Sequence, residues 1–122
     1  IKKVGNSELI NLSKEYNLFN SWAWAAGGIS SNVSDLSIFL SALRKEELLN
    51  EETQKVLMQL NSSVDNGITF FGGTGGSDGI QATMLHIIPS DIEIIILINS
   101  SGSKQVNLSS VFVELYKRAT SK

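Results

Sequence analysis

The sequence predicts an α+β fold: an antiparallel sheet of about three strands, with a small β-ribbon at its N-terminal end and helices packed on the sheet. Three observations carry this. Residues 33–43 and 51–60 have apolar side chains at helical spacing. Two apolar, β-branched runs, 80–88 and 92–98, are parted only by Pro89-Ser90-Asp91. A last helical stripe closes the chain at 108–119. Helices, then strands, then a helix is an α+β order; strands alternating with helices would instead suggest a parallel sheet.

Each element has a local reason. In the first twenty residues Ile1-Lys2-Lys3-Val4 and Glu8-Leu9-Ile10 flank Gly5-Asn6-Ser7. This fits either a ribbon around a turn or a helix over 7–18 capped by Ser7, and the Gly-Asn-Ser turn favours the ribbon. Residues 17–21 read as a loop. Trp22-Ala23-Trp24-Ala25-Ala26-Gly27-Gly28 is small and glycine-bearing, so its backbone can lie close against a neighbour. Trp22 and Trp24 share a side if extended, which suits core packing or the lining of a cleft.

From Val33, the residues Leu36, Phe39, Leu40 and Leu43 fall on one helical face, with Ser31 or Asn32 as cap and Asp35 in the first turn. A second helix follows Asn50, with Glu51 and Glu52 at its start and Val56, Leu57 and Leu60 on its apolar face. Residues 67–71 are strand-like. Residues 72–79 then hold five of the ten glycines, as a flexible turn or as a strand stripped of side chains so that a ligand can approach its backbone. Residues 80–88 and 92–98 form an antiparallel hairpin, because their connection is short. The unbroken apolar character of 92–98 predicts a strand buried on both faces. Residues 99–104 form a loop. Leu108, Val111, Phe112, Leu115 and Ala119 mark the closing amphipathic helix.

Composition narrows the chemistry. The chain has 122 residues, 42% hydrophobic and 18% charged, with a net charge of −2. This is ordinary globular balance for one domain, without the basic surface expected of a nucleic-acid partner. Cys is absent, so disulfides, thiolate metal sites and cysteine nucleophiles are excluded. A single His excludes a multi-histidine metal site built by this chain alone. No apolar run reaches transmembrane length. The chain begins at Ile1, as expected of a piece of a longer protein.

The glycine stretch is not a phosphate cradle. It lacks G-x-G-x-x-G spacing and G-K-[ST], and a strand follows it where a nucleotide loop opens a helix. Two other segments have more to say. Ala25-Ala26-Gly27-Gly28-Ile29-Ser30-Ser31, followed by Asp35-Leu36-x-x-Phe39-Leu40, resembles the A-A-G-G-L-x-S-x-x-x-D-L-x-x-F-L segment of the serine β-lactamase and penicillin-binding-protein superfamily. Gly72-Gly73-Thr74-Gly75-Gly76-Ser77-Asp78-Gly79-Ile80 resembles the G-H-T-G-G-T-P-G-F of its class C-like branch, which holds esterases, D-aminopeptidases and D-Ala-D-Ala carboxypeptidases. Asn99 ends the apolar strand much as an Asn does in that branch. The resemblance covers residues 21–118 in the same order and rough spacing.

That resemblance implies that residues 1–122 are the C-terminal part of a serine-hydrolase domain with a partial β-lactamase/transpeptidase-like fold. The parent would hydrolyse a β-lactam, peptide amide or ester through an acyl-enzyme, with no cofactor, usually outside the cytoplasm or in the cell envelope. It implies roles for four residues. Gly73, Thr74 and Gly75 would form the substrate edge, with the Thr74 hydroxyl on a substrate carboxylate. Gly76 would be catalytic through its backbone N–H in the oxyanion hole. Gly73 departs from the pattern, since Lys or His is usual there; the lost polar group would weaken activity, redirect it to uncharged esters or abolish it.

The nucleophile motif S-x-x-K and the motif Y-x-N would lie in the missing N-terminal part of the domain. Tyr16-Asn17-Leu18 and Tyr116-Lys117-Arg118 do not match Y-x-N. Ser101-Gly102-Ser103-Lys104 spells S-x-x-K, but with 18 Ser and 8 Lys about one match is expected by chance. Ser30-Ser31-Asn32 spells S-x-N at a helix cap, and capping explains it. His86 is expected on a sheet face or the surface rather than as a base, for lack of a fixed acid partner. Glu46, Glu47, Glu51 and Glu52 read as a solvated helix junction. Two other classes stay open: a binding or regulatory domain that kept the fold and lost catalysis, and an unrelated α+β interaction module. An apolar strand left at the sheet edge is expected to promote self-association.

Overall fold

Among the described residues, each α-helix starts at an asparagine. The structure is a computed structural model that describes residues 2–4, 7–9, 24–65, 67–77, 79–99 and 106–121. Helix α1 (Val33–Arg44) begins at Asn32, whose side chain accepts from the Asp35 backbone N–H at 3.0 Å. Helix α2 (Glu51–Asn61) begins at Asn50, which accepts from Thr53 N at 2.9 Å. Helix α3 (Leu108–Thr120) begins at Asn107, which accepts from Ser110 N at 3.1 Å. Each cap satisfies one of the N–H groups that the first helical turn leaves unpaired. Of the two caps that the sequence offered α1, Asn32 is the one used.

Strands β1 (Lys2–Val4) and β2 (Ser7–Leu9) pair antiparallel with Lys2 opposite Leu9, so the ribbon forms and the rival helix does not begin at Ser7. Residues 10–23, with Trp22 and Tyr16-Asn17, lie outside the described residues, as do 100–105 with the S-x-x-K at 101–104. Residues 24–26 make a single 3-10 turn.

The main sheet runs in the order β3-β4-β5-β6, all antiparallel. Its strands are β3 (Ser62–Asp65), β4 (Ile68–Ser77), β5 (Ile80–Ile87) and β6 (Ile92–Ile98). Three of the four match the expected strands. The fourth, β3, was not expected, because Ser62-Ser63-Val64-Asp65 lacks apolar alternation. Its signal was the Asn66-Gly67 pair that follows, a preferred two-residue hairpin connection; Gly67 has φ +78°. The glycine stretch is strand rather than flexible turn, continuous with β4 through Ser77. Gly79, with φ +85°, is the turn residue that leads into β5.

Register assigns the two faces, because paired residues project to the same side. One face carries Phe71, Met84 and His86, and α1 and α2 cover it. Leu40, Leu43 and Phe71 form its buried cluster, with Leu49, Leu57, Met58 and Met84 packed around them. Gln54, 4% exposed, ties α2 to α1 by donating to the Leu43 carbonyl at 2.8 Å. The other face carries Phe70, Thr74 and Thr83, with α3 across it: the Phe70 and Phe112 rings lie 6.2 Å apart.

One expectation is corrected. β6 is not buried on both faces; only Ile94 is buried, and Leu97 is 40% exposed. The reason is position. β6 ends the strand order and has no strand beyond it among the described residues. Its apolar run serves α1 on one face and α3 on the other.

Candidate functional site

β3 stops early, and that creates the site. Its pairing with β4 ends at Ser62 opposite Phe71. Beyond that point residues 72–77 of β4 pair only with β5, so their outer edge is open among the described residues. Gly73, Thr74, Gly75 and Gly76 are all exposed there. The sequence-predicted site residues are thus consecutive on one strand edge.

The ladder also sets which backbone groups face outward. Thr69 O accepts from Ile88 N at 3.1 Å, and Phe71 stands opposite His86. Antiparallel alternation therefore turns the N–H and C=O of 71, 73, 75 and 77 toward β5. Those of 72, 74 and 76 turn toward the open edge.

The glycines divide into two kinds. A Cβ at Gly73 or Gly75 would meet nothing within 4 Å, so packing does not demand glycine at either place. Their bareness keeps the edge clear for an approaching molecule. At Gly76 a Cβ would sit 2.8 Å from the Ile80 carbonyl oxygen. At Gly72, with φ +139°, it would collide with the Met84 carbonyl. Those two are held as glycine by the hairpin itself. Chemically, the edge offers outward N–H donors and the Thr74 hydroxyl to a carbonyl or carboxylate.

His86 is elsewhere. It is 4% exposed on the α1/α2 face, opposite Phe71 and about 17 Å along the strand from Gly76 at 3.3–3.4 Å per residue. It is a sheet-face residue, buried rather than on the surface. Burial, then the Arg44 charge, hold its imidazole below the usual 6.5, while Asp91 and Glu93 pull the other way. Its Nε2 lies 3.9 Å from Asp91 Oδ1, and Nδ1 is buried without a partner among the described residues. Around it Arg44 meets Asp91, and Ser37 Oγ donates to Glu93 at 3.0 Å. Sequence reasoning missed this network, whose members span residues 37 to 93 and share no local pattern. Glu46, Glu47, Glu51 and Glu52 are exposed, with Glu51 paired to Lys55 at 2.6 Å.

Comparison with protein-family models, with curated proteins and with solved structures gives no match.

Proposed function

We propose that this chain supplies the substrate edge of an acyl-transfer site of the serine β-lactamase and penicillin-binding-protein type, as the C-terminal part of that domain. The observation that carries the reading is the open edge of β4 at residues 72–77, with exposed Thr74 flanked by glycines that packing does not require at 73 and 75. The substrate is a β-lactam, peptide amide or ester. Its carbonyl lies along the edge with Gly76 N–H on the oxygen, and Thr74 holds a carboxylate. A serine from the N-terminal part of the domain attacks the carbonyl carbon. The bond to the leaving amine or alkoxide breaks, and the leaving group takes up the proton that the serine gives up. Charge gathers on the carbonyl oxygen, which is where an outward N–H stabilises the transition state.

One observation favours a second reading, a binding or regulatory domain without catalysis. Gly73 places no acid, base or cation on the edge, where the resembled motif has Lys or His.

The test uses the full-length parent, with acylation by a β-lactam and by an activated ester as readouts. Gly75→Val has room for its Cβ and should fold, yet its branched side chain stands where substrate must lie. Acylation should fall by about 100-fold or more, the scale of losing one oxyanion contact, whereas Lys55→Ala should match the parent. A folded Gly75→Val that acylates at the parent rate would remove the edge from the site. Gly73→His separates the two readings: a gain in rate means a weakened enzyme, and no acylation by either form means a binding domain.

A further inference from the structure

We propose that the cleft between the sheet and α3 is a binding site for a flat, uncharged apolar molecule carrying one hydroxyl or carbonyl group. The cavity borders the proposed substrate edge at Gly73 and Thr74, but the proposal rests on Thr83 of the sheet face and the aromatic rings of α3, which the acyl-transfer reading does not use.

The cavity has a volume of about 590 Å³, inside the ~300–1,000 Å³ range of small-molecule sites. Phe70 and Thr83 line it from the sheet, and Phe112, Val113 and Tyr116 line it from α3. The Phe112 and Tyr116 rings are 6.5 Å apart and within 5° of parallel, and Phe70 meets Phe112 at 59°. These rings are stacked one helical turn apart, so their faces share one orientation. A planar ligand laid parallel to them gains offset contact, and a bulky three-dimensional one does not.

Thr83 supplies the polar anchor. It is 3% exposed, and its Oγ1 has no hydrogen-bond partner among the described residues. Buried hydroxyls nearly always have a partner. This one lies on the cavity lining, where a bound molecule can provide it. A threonine hydroxyl both donates and accepts, so either a hydroxyl or a carbonyl satisfies it. The charged groups on the lining, Asp65 and Lys117, are both exposed, so no buried charge asks for a counter-ion. That selects a neutral ligand.

The probes are 2-naphthol, which has the flat body and one hydroxyl, and naphthalene, which has the body alone. Each is titrated into the 122-residue chain and followed by NMR. Saturable shifts are expected at Thr83 and Phe112. Thr83→Val keeps the shape and removes the hydroxyl. It should weaken 2-naphthol about tenfold, the worth of one buried hydrogen bond, and leave naphthalene within about twofold. Val113→Trp, from a half-exposed position on α3, fills the cleft and should abolish both. Absence of saturable shifts at Thr83 and Phe112 overturns the proposal. So do shifts confined to the opposite face around Leu40 and Met58, equal losses of both probes in Thr83→Val, or unchanged binding in a folded Val113→Trp.

Discussion

Arg44, in the last turn of α1, reaches Asp91 in the β5–β6 turn, Nη1 to Oδ1 at 2.5 Å. The contact joins residues 47 apart in sequence and fixes α1 over the closed end of the hairpin. Asp91 is held with φ +54°, a left-handed conformation that Asp tolerates better than most residues. The same guanidinium lies 3.7 Å from Glu93, whose other oxygen accepts from Ser37 of α1. One basic side chain thus organises the turn and the start of β6.

Arg44→Ala should lower stability by about 1 kcal/mol, the upper end for an ion pair with one exposed partner, since the Asp91 side chain is 71% exposed. The check is a shift of the urea midpoint. Because the pair is partly solvated, the difference should shrink in about 1 M salt. A salt-independent loss would mean that the packing of the Arg44 stem, and not its charge, does the joining.

The buried His86 gives the fold a pH dependence of defined sign. Its folded-state pKa is lowered, first by burial and then by Arg44, so between that lowered value and 6.5 the unfolded chain binds the proton more readily. Stability is fully present above about pH 6.5 and is lost as pH falls toward the folded-state value. Urea unfolding at about pH 5 to 8 should show this decline, and His86→Phe should flatten it in that window. An equal slope in the variant would assign the dependence to other groups.

Local chemistry was legible and lateral arrangement was not. The cap of α1 at Ser31 or Asn32, the start of α2 after Asn50, the closing helix and the hairpin around Pro89 follow from residues within a few positions of each other, whereas the Asn107 cap emerges only in the structure. The site candidates, being consecutive, necessarily lie together on one strand, but which of them turn their N–H groups to the open edge, Thr74 and Gly76, follows from the pairing with β5. β3 was missed because its four residues carry no apolar alternation, although Asn66-Gly67 marked the turn after it. The burial of β6 was overstated because an apolar run has the same pattern at the edge of a sheet as at its centre; which strand lies last depends on pairing, which periodicity does not encode. The partnerless hydroxyl of Thr83 needed coordinates altogether, for it depends on the distance between a sheet and a helix that begins 25 residues later.

Gly72 and Gly75 should respond oppositely to the same change. Gly72→Ala places a Cβ against the Met84 carbonyl at a φ of +139° and should cost about 1–3 kcal/mol. Gly75→Ala meets open space and should change the urea midpoint little. Equal effects would mean that the strand shifts to accommodate the methyl group, and that the open edge is less firmly set than its register implies.

The 122-residue chain by itself should neither turn over a chromogenic cephalosporin or a nitrophenyl ester nor be labelled by a fluorophosphonate. The proposed edge provides an oxyanion donor and a carboxylate anchor, and the donor stabilises charge only after a nucleophile has attacked. Turnover or labelling that disappears in Ser101→Ala would assign the nucleophile to the S-x-x-K at 101–104 and overturn the division of labour proposed above.

The chain should also self-associate through β6. Pairing with β5 satisfies one side of that strand, and the ladder turns the N–H and C=O groups of Glu93, Ile95 and Leu97 to the unpaired side. Natural edge strands are blunted by Lys, Pro, bulges or a covering loop. β6 has only Glu93 near one end, followed by five apolar residues in a row. A second copy can add to this edge and pair the exposed groups, most simply antiparallel, without disturbing α1 or α3 on the faces. Light scattering should therefore show a mass above that of one chain at high concentration. Leu97→Lys, at a 40% exposed position, should return it to a monomer with unchanged circular dichroism, because a charge on an edge strand opposes its own copy across the junction. A monomer at all concentrations before the substitution would mean that the edge is already covered within the chain. Association that survives Leu97→Lys would move the contact to the exposed apolar side chains of α1, where Ile38 and Phe39 lie 69% and 47% exposed.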